Sequence, residues 1–234
     1  SPVSHALING IDATAARDRP GVRAVLTMAD LAPHLTTDRL SVGMPSKAYR
    51  QLRDRPILAD KEACHVGEPI AIVIADDRYI AEDAAALVEI DFDILPASAD
   101  AETAAKPGSP VAHSDADHNI LAEFNMGYGD TDSAFANAAH TVADKFFIHK
   151  GLGMAIEGRG LVARYDALED RLTVWLATQM PHMAHRTLVN LLGRTETNTR
   201  VVTPDIGGGF GPKLVFYPED IVVATAALIL QAPV

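Results

Sequence analysis

The chain has 234 residues, 48% hydrophobic and 22% charged, which is enough for one large domain or two small ones. Its formal net charge of -11 leaves no electrostatic footprint for nucleic acid or an anionic membrane. The single cysteine, Cys64, excludes an internal disulfide, and no cysteine cluster exists to hold iron–sulfur or structural zinc. No run approaches a transmembrane span. The first residues have no signal-peptide features, and the cytoplasm is the default compartment.

Residues 1–98 alternate strand and helix patterns. Residues 6–11 alternate like a strand, and 12–17 read as a short helix stopped by Pro20-Gly21. Residues 22–27 form a second strand by their β-branched alternation, and 28–31 a helical turn. Residues 33–56 are polar, carry three prolines and form a long excursion. A turn at 65–69 leads to 70–75, apolar throughout and expected as a buried strand. Residues 80–87 are helical. Residues 88–94 alternate strictly, with Val88, Ile90, Phe92 and Ile94 on one face.

Residues 99–118 mix Ala, Pro, Gly, Ser and Asp irregularly and read as a linker. His113 and His118 fall beside Asp115 and Asp117 there. A metal site is one reading, and solvated linker residues the favoured one, since nothing fixes their geometry. Cys64 is a lone thiol whose neighbour His65 points away from it on an extended chain, so the two form no dyad.

From residue 119 a second unit begins. Residues 130–139 are helical and 140–149 alternate like a strand through Val142, Phe146 and Ile148. Residues 160–165 and 172–177 form a β-hairpin. Pro181 opens a helix to Leu192, with Gly193 as its C-cap. His182 and His185 lie three apart on it, expected on a packed or solvent-facing helix. Residues 199–203 form a strand, and 220–230 an apolar helix.

Between that strand and that helix lies Asp205-Ile206-Gly207-Gly208-Gly209-Phe210-Gly211-Pro212-Lys213. Glycines this dense leave backbone N–H groups bare and permit positive φ. A bare loop between strand and helix suits close approach to an anionic or oxo-bearing ligand, and a tight turn without ligand is the plainer alternative.

The loop resembles the Gly-Gly-Gly-Phe-Gly loop of the molybdenum hydroxylases: the xanthine dehydrogenase, aldehyde oxidase and carbon monoxide dehydrogenase large subunits. The surroundings match too, with Ala177-Thr178-Gln179 upstream and Tyr217-Pro218-Glu219 downstream. Residues 1–11, 20–31 and 66–96 resemble the α/β-hammerhead domain that precedes the molybdopterin domain in that family. The implied fold class is α/β (α+β): a hammerhead at 1–98 lacking its upstream part, a linker at 99–118, and the first part of a molybdopterin-binding domain at 119–234.

Site residues follow from the resemblance. Gln179 matches the glutamine that donates to the apical oxo ligand of molybdenum. On its residues alone it is an amide near a helix N-terminus, able to donate while backbone holds its oxygen. Gly208, Gly209, Phe210 and Gly211 would lie nearest the cofactor, where N–H donors approach without an intervening side chain. Phe210 would shield the pocket or pack on substrate, unless it plugs the core. Pro212 departs from the common form, which has a further glycine, and removes one N–H. Leu214 stands where purine-oxidising relatives carry a glutamate. It can neither ionise nor hydrogen-bond, which argues against xanthine unless Leu214 simply faces the core. Glu157-Gly158-Arg159 resembles a Glu-Pro-Arg string and suggests structural pairs.

The implied enzyme hydroxylates an aldehyde, an N-heterocycle or a related small molecule with oxygen from water. It would carry a molybdopterin-type molybdenum cofactor, the cytosine dinucleotide form included among the options. Iron–sulfur clusters and FAD would sit on partner subunits or on segments outside this sequence, and the rest of the molybdopterin domain would be a further partner. No catalytic residue is expected here, because the family's general-base glutamate lies beyond Val234. Ser1 runs straight into strand-like sequence, and 231–234 begin what reads as a next strand, so a piece of a longer protein is expected. A cofactor-free homologue serving as a structural or assembly partner is the alternative.

Overall fold

The computed structural model describes residues 1–41, 46–51, 53–148 and 151–234. The first part of the chain gives β1 (Ala6–Asp12), α1 (Thr14–Arg17), β2 (Val22–Thr27), α2 (Met28–Leu31), β3 (Arg39–Leu40), β4 (Arg55–Pro56), β5 (Glu62–Ala63), β6 (Ala71–Ala75), α3 (Arg78–Ala85) and β7 (Glu89–Ile94). β1 is the middle strand of an antiparallel sheet, between β5 and β7. β2 and β6 form a separate antiparallel ribbon. The polar excursion folds back on itself through the β3–β4 pair, and part of it lies outside the described residues.

The strand at 70–75 differs from expectation. All five residues of β6 are half-buried rather than buried. A two-stranded ribbon has two thinly covered faces. Ile72 and Ile74 pack on the main core, while Val73 joins a small cluster of Ala13, Ala16, Val25 and Ala84. β7 keeps its alternation only in part. Ile90 and Phe92 pack with Ile8 and Ile70, and Ile94 at the strand end is 66% exposed.

The second part gives α4 (Ala101–Ala104), α5 (Thr131–Ala136), β8 (Leu161–Asp166), β9 (Arg171–Leu176), α6 (Pro181–Leu192), β10 (Thr199–Val202) and α7 (Pro218–Leu230). The stretch read as a linker carries the helical turn α4, capped by the Asp100 carboxylate, which accepts from the Glu102 and Thr103 N–H groups. Asn119 pins it further, with Nδ2 donating to the Ala104 and Pro110 carbonyls.

β8 and β9 pair antiparallel, and β10 lies parallel beside β9. A parallel neighbour demands a crossover, and α6 supplies it. Pro181 occupies the first turn of α6, where its missing N–H costs nothing, and Gly193 ends it in the left-handed region at φ 61°. α6 turns Ala184, Leu188 and Leu191 inward, and α7 is apolar on nearly every face because it lies in the core. That core crosses from one part of the chain to the other: Met28, Leu31, Ile57 and Leu58 pack with Leu172, Val174, Leu188 and Ile221. Val234 pairs with Ala163 through two backbone hydrogen bonds of 2.8 and 2.9 Å.

The strand expected at 140–149 is absent over residues 140–148, and His149 lies outside the described residues. Val142, Phe146 and Ile148 are 91%, 83% and 88% exposed. A period-two pattern supplies a face but not a neighbour, and no described strand pairs there. Phe124, Met126, Leu152, Met154 and Ile156 on the flanking stretches are exposed as well. Among the described residues no helix is long and apolar enough to cross a membrane.

Candidate functional site

β10 ends at Val202, and the chain does not become regular again until the short turn 212–214 and α7. The glycine loop spans that gap. Gly208 and Gly211 both sit at φ 98°, and Phe210, a non-glycine residue, is held at φ 52°. Three positive φ values within four residues turn the backbone sharply, which only a glycine-rich segment tolerates at low cost.

The loop lies directly against Gln179. A Cβ on Gly209 would stand 2.4 Å from Gln179 Cδ, so glycine is required for this approach. The Gly211 N–H donates to Gln179 Oε1 at 3.1 Å. This fixes the amide so that Nε2 faces away from its own support, and Nε2 has no hydrogen-bond partner among the described residues. Likewise, no hydrogen bond is found for the N–H groups of Gly208, Gly209 and Phe210 among the described residues. Four donor groups are thus without a partner among the described residues.

Support comes from two sides. The Lys213 carbonyl accepts from the Gln179 N–H at 2.8 Å and from the Thr178 hydroxyl at 3.2 Å. Thr178 Oγ1 in turn accepts from the Met180 N–H, which sets the start of α6. On the other side Glu157 Oε2 accepts from the Gly207 N–H at 2.7 Å and from Lys213 Nζ at 2.6 Å. Lys213 is 2% exposed, so its ammonium depends on that carboxylate. The hydrogen bond from Lys213, and after it the Gly207 N–H, holds the Glu157 carboxyl below the usual range. Arg159 pairs with Glu219 at 3.2 Å and stacks on the Tyr217 ring, and the Tyr217 hydroxyl donates to the Pro212 carbonyl at 2.6 Å. Asp220 accepts from the Tyr217 N–H at 2.9 Å. Burial pushes the Asp220 carboxyl up to about 6, despite that hydrogen bond and the nearby Arg159.

Comparison with known proteins matches both parts of the chain to described families. A family described as the molybdopterin cofactor-binding domain matches residues 112–234. A second, described as the a/b hammerhead domain of aldehyde oxidase and xanthine dehydrogenase, matches residues 1–96.

The chain belongs to the molybdenum hydroxylase large-subunit family.

Among its relatives in that family is the nicotine 6-hydroxylase large subunit of Paenarthrobacter nicotinovorans, 35% identical over all of this chain and 28% of its own length. The carbon monoxide dehydrogenase large chain of Hydrogenophaga pseudoflava is 38% identical over all of this chain and 30% of its own length. The crystal structure of quinoline 2-oxidoreductase from Pseudomonas putida 86 superposes with a TM-score of 0.92 at 32% identity, covering this chain fully and 29% of the other. The chain therefore spans less than a third of the length of these relatives.

The residues present fit the family's cofactor. An oxo- and pterin-bearing group needs bare donors that approach without a side chain in the way. Gly209, the fixed amide of Gln179 and the N–H groups at 208–210 provide them. Phe210 is 74% exposed, so it does not plug the core, and its ring packs over Gly208, where a Cβ would meet Cε2 at 2.8 Å. Leu214 is 45% exposed and does not face the core either. The structure thus brings Gln179, Gly208, Gly209, Phe210 and Gly211 together, with Leu214 one short turn further along.

Two supports went unread in the sequence. Lys213 gave no signal beyond its place after the loop, yet its ammonium and carbonyl both anchor the site. Gly153 crosses the loop so closely that a Cβ would stand 2.8 Å from the Phe210 carbonyl oxygen. The Gly151-Leu152-Gly153 spacing was the available signal. His185 Nε2 lies 2.9 Å from the Thr199 carbonyl, which ties α6 to β10 and gives it a packing role. His113 is not a solvated linker residue. It is half-buried, with Nδ1 3.2 Å from Cys64 Sγ, and burial lowers its pKa. Folding joins these two residues across 49 positions, which sequence adjacency could not reveal.

Proposed function

We propose that this chain supplies the loop-and-glutamine side of the molybdenum site in a hydroxylase that oxidises an aldehyde, an N-heterocycle or a related small molecule. The carrying observation is the fixed Gln179 amide beside a backbone that no side chain covers. The cofactor, when bound, would supply two-electron oxidation of a substrate carbon with oxygen from water. Gln179 Nε2 would donate a hydrogen bond towards the cofactor while Gly211 holds Oε1. The N–H groups of Gly208, Gly209 and Phe210 offer further donors. Phe210 and Leu214 form apolar walls that bring neither charge nor hydrogen bond to a substrate, which favours a weakly polar one over a purine.

We assign residues 1–98 to the hammerhead, 99–118 to the connection and 119–234 to the first part of the molybdopterin domain. The cofactor in this reading is of the molybdopterin type, with the cytosine dinucleotide form among the options. Iron–sulfur and FAD groups lie on partner chains or other segments, since one cysteine cannot ligate a cluster. The compartment is the cytoplasm. The exposed apolar residues between Phe124 and Ile156 are covered by further molybdopterin-domain sequence, in keeping with the 70% or so of relatives' length that this chain does not match.

The test is metal and pterin analysis of the protein purified with its co-purifying chains. Molybdenum near one per copy, together with a pterin fluorescent after oxidation, is expected. A folded, complete assembly without molybdenum overturns the proposal and leaves a cofactor-free structural partner.

A further inference from the structure

We propose that Glu62, Cys64 and His113 form a binding site for a thiophilic divalent cation of the zinc type, clamping the hammerhead segment to the segment that follows it. Their ligand atoms all lie within 4.8 Å of one another, and each residue is half-buried. Cys64 Sγ and His113 Nδ1 are 3.2 Å apart. Two ligands at zinc distances on tetrahedral corners stand about 3.5 Å apart, so this pair is already at coordination spacing. The carboxylate closes the remainder by turning roughly 1 Å, within the reach of one torsion.

The sequence builds the cluster economically. Glu62 opens β5 and Cys64 directly follows its end, and their ligand atoms lie within 4.8 Å of each other. His113 arrives from the segment that Asn119 pins, with Asn119 Oδ1 accepting from the Ala112 N–H at 2.8 Å. Next to it, the Ser114 N–H donates to Glu62 Oε1 at 2.7 Å. His5, 4% exposed, holds the same Glu62 oxygen through Nε2 at 2.8 Å and reaches the Pro96 carbonyl through Nδ1 at 2.9 Å. A carboxylate oriented by an imidazole and a backbone N–H is the outer support that ligands need, and it leaves Oε2 to turn towards the cation.

Ligand chemistry selects the metal. Thiolate, imidazole and carboxylate together suit zinc or cobalt(II) and not magnesium or calcium, which take oxygen ligands. Three protein ligands leave a fourth position for water, which partial exposure permits. Electrostatics agree. The Glu62 and Glu68 carboxylates both act on the thiol, with Glu68 Oε2 accepting the Cys64 N–H, while Arg39 and Arg53 are the cations facing the cluster and Arg53 is paired with Asp115. Burial, and after it the two carboxylates, push the Cys64 thiol up to about 12, and the carboxylates' charge favours a divalent ion at the thiol. On binding, Cys64 releases its proton to solvent and forms the metal–sulfur bond, with no change of oxidation state.

Glu62 and Cys64 lie in the segment matching the hammerhead, and His113 lies in the segment matching the cofactor-binding domain. The ion would therefore join the two.

The test is cobalt(II) titration of the purified protein with its co-purifying chains, after chelator treatment. One equivalent is expected, with a thiolate-to-cobalt charge-transfer band and tetrahedral visible bands. Cys64→Ser should abolish the charge-transfer band, and His113→Gln should weaken binding at least tenfold. His5→Gln, which removes outer support, should weaken it about 10–100-fold. His118→Gln, outside the cluster, should bind as the parent does. Molybdenum content should stay unchanged in Cys64→Ser, which keeps this site separable from the glycine-loop site. Absence of the band in protein folded by circular dichroism, or its survival in Cys64→Ser, overturns the proposal.

Discussion

Asp220 sits in the first turn of α7 with 5% of its surface exposed, downstream of the glycine loop. Four influences favour its charged form: the Tyr217 N–H, the helix N-terminus and the Arg159 and Arg55 charges. Burial opposes them and prevails, raising the carboxyl from 3.8 to about 6. The folded state therefore holds a proton that the unfolded chain has released, and stability falls as pH rises through this window. The total shift corresponds to about 3 kcal/mol. About 2 kcal/mol of that falls between about pH 4.5 and about pH 7. Asp220→Asn keeps an oxygen for the Tyr217 N–H and cannot ionise. Urea unfolding of both proteins, followed by circular dichroism across this range, isolates the one group. The Asn variant should gain about 2 kcal/mol on the parent between the two pH values. A flat difference, or one of opposite sign, refutes the claim that burial outweighs the cap and the arginines.

Gly209→Ala should push Gln179 off its seat, because the new Cβ would stand 2.4 Å from Cδ. The displaced side chain is exposed and flexible, so stability should fall by only about 1 kcal/mol, one lost hydrogen bond, while molybdenum content or turnover of the assembled protein drops sharply. Equal losses in stability and cofactor would contradict a role for Gln179 at the cofactor. The Glu157–Lys213 pair should be asymmetric. Glu157→Ala strands an ammonium that is 2% exposed, whereas Lys213→Met leaves a carboxylate that is 43% exposed and can turn to water. The first substitution should destabilise more in urea melts, and the reverse order would contradict the burial argument. Gly193→Ala forces a side chain into φ 61° and should cost about 1 kcal/mol in the same melts.

Local pattern carried the regular elements, and partnership carried the rest. The α6 boundaries at Pro181 and Gly193 were legible because both residues act on their own backbone, one by lacking an N–H and the other by tolerating positive φ. The hairpin of β8 and β9 was legible for a similar reason, since its turn and alternation are contained within a few residues. The short β3, β4 and β5 were not, because two-residue strands exist only through their partners. Residues 140–148 failed in the opposite sense: they carry the alternation of a strand without a neighbour to pair with.

The site divides along the same line. Its glycines and Phe210 were readable as a motif, because a bare loop leaves a compositional trace, while Gln179 was readable only through the resemblance of the Ala177-Thr178-Gln179 string. Glu157 was legible through the resemblance as a member of a structural pair, but Lys213 was not, since an ion pair between a buried and an exposed partner looks in sequence like any two charges 56 positions apart. Yet they decide whether the loop is rigid. A glycine-rich segment alone loses more conformational entropy on ordering than any other sequence, so it holds a shape only where neighbours impose it. Here Glu157 fixes Gly207, Gln179 fixes Gly211, and the Lys213 carbonyl fixes the segment that carries Gln179. Those three tethers turn a flexible composition into donors held in place before any ligand arrives, and preorganised donors bind without the cost of ordering themselves.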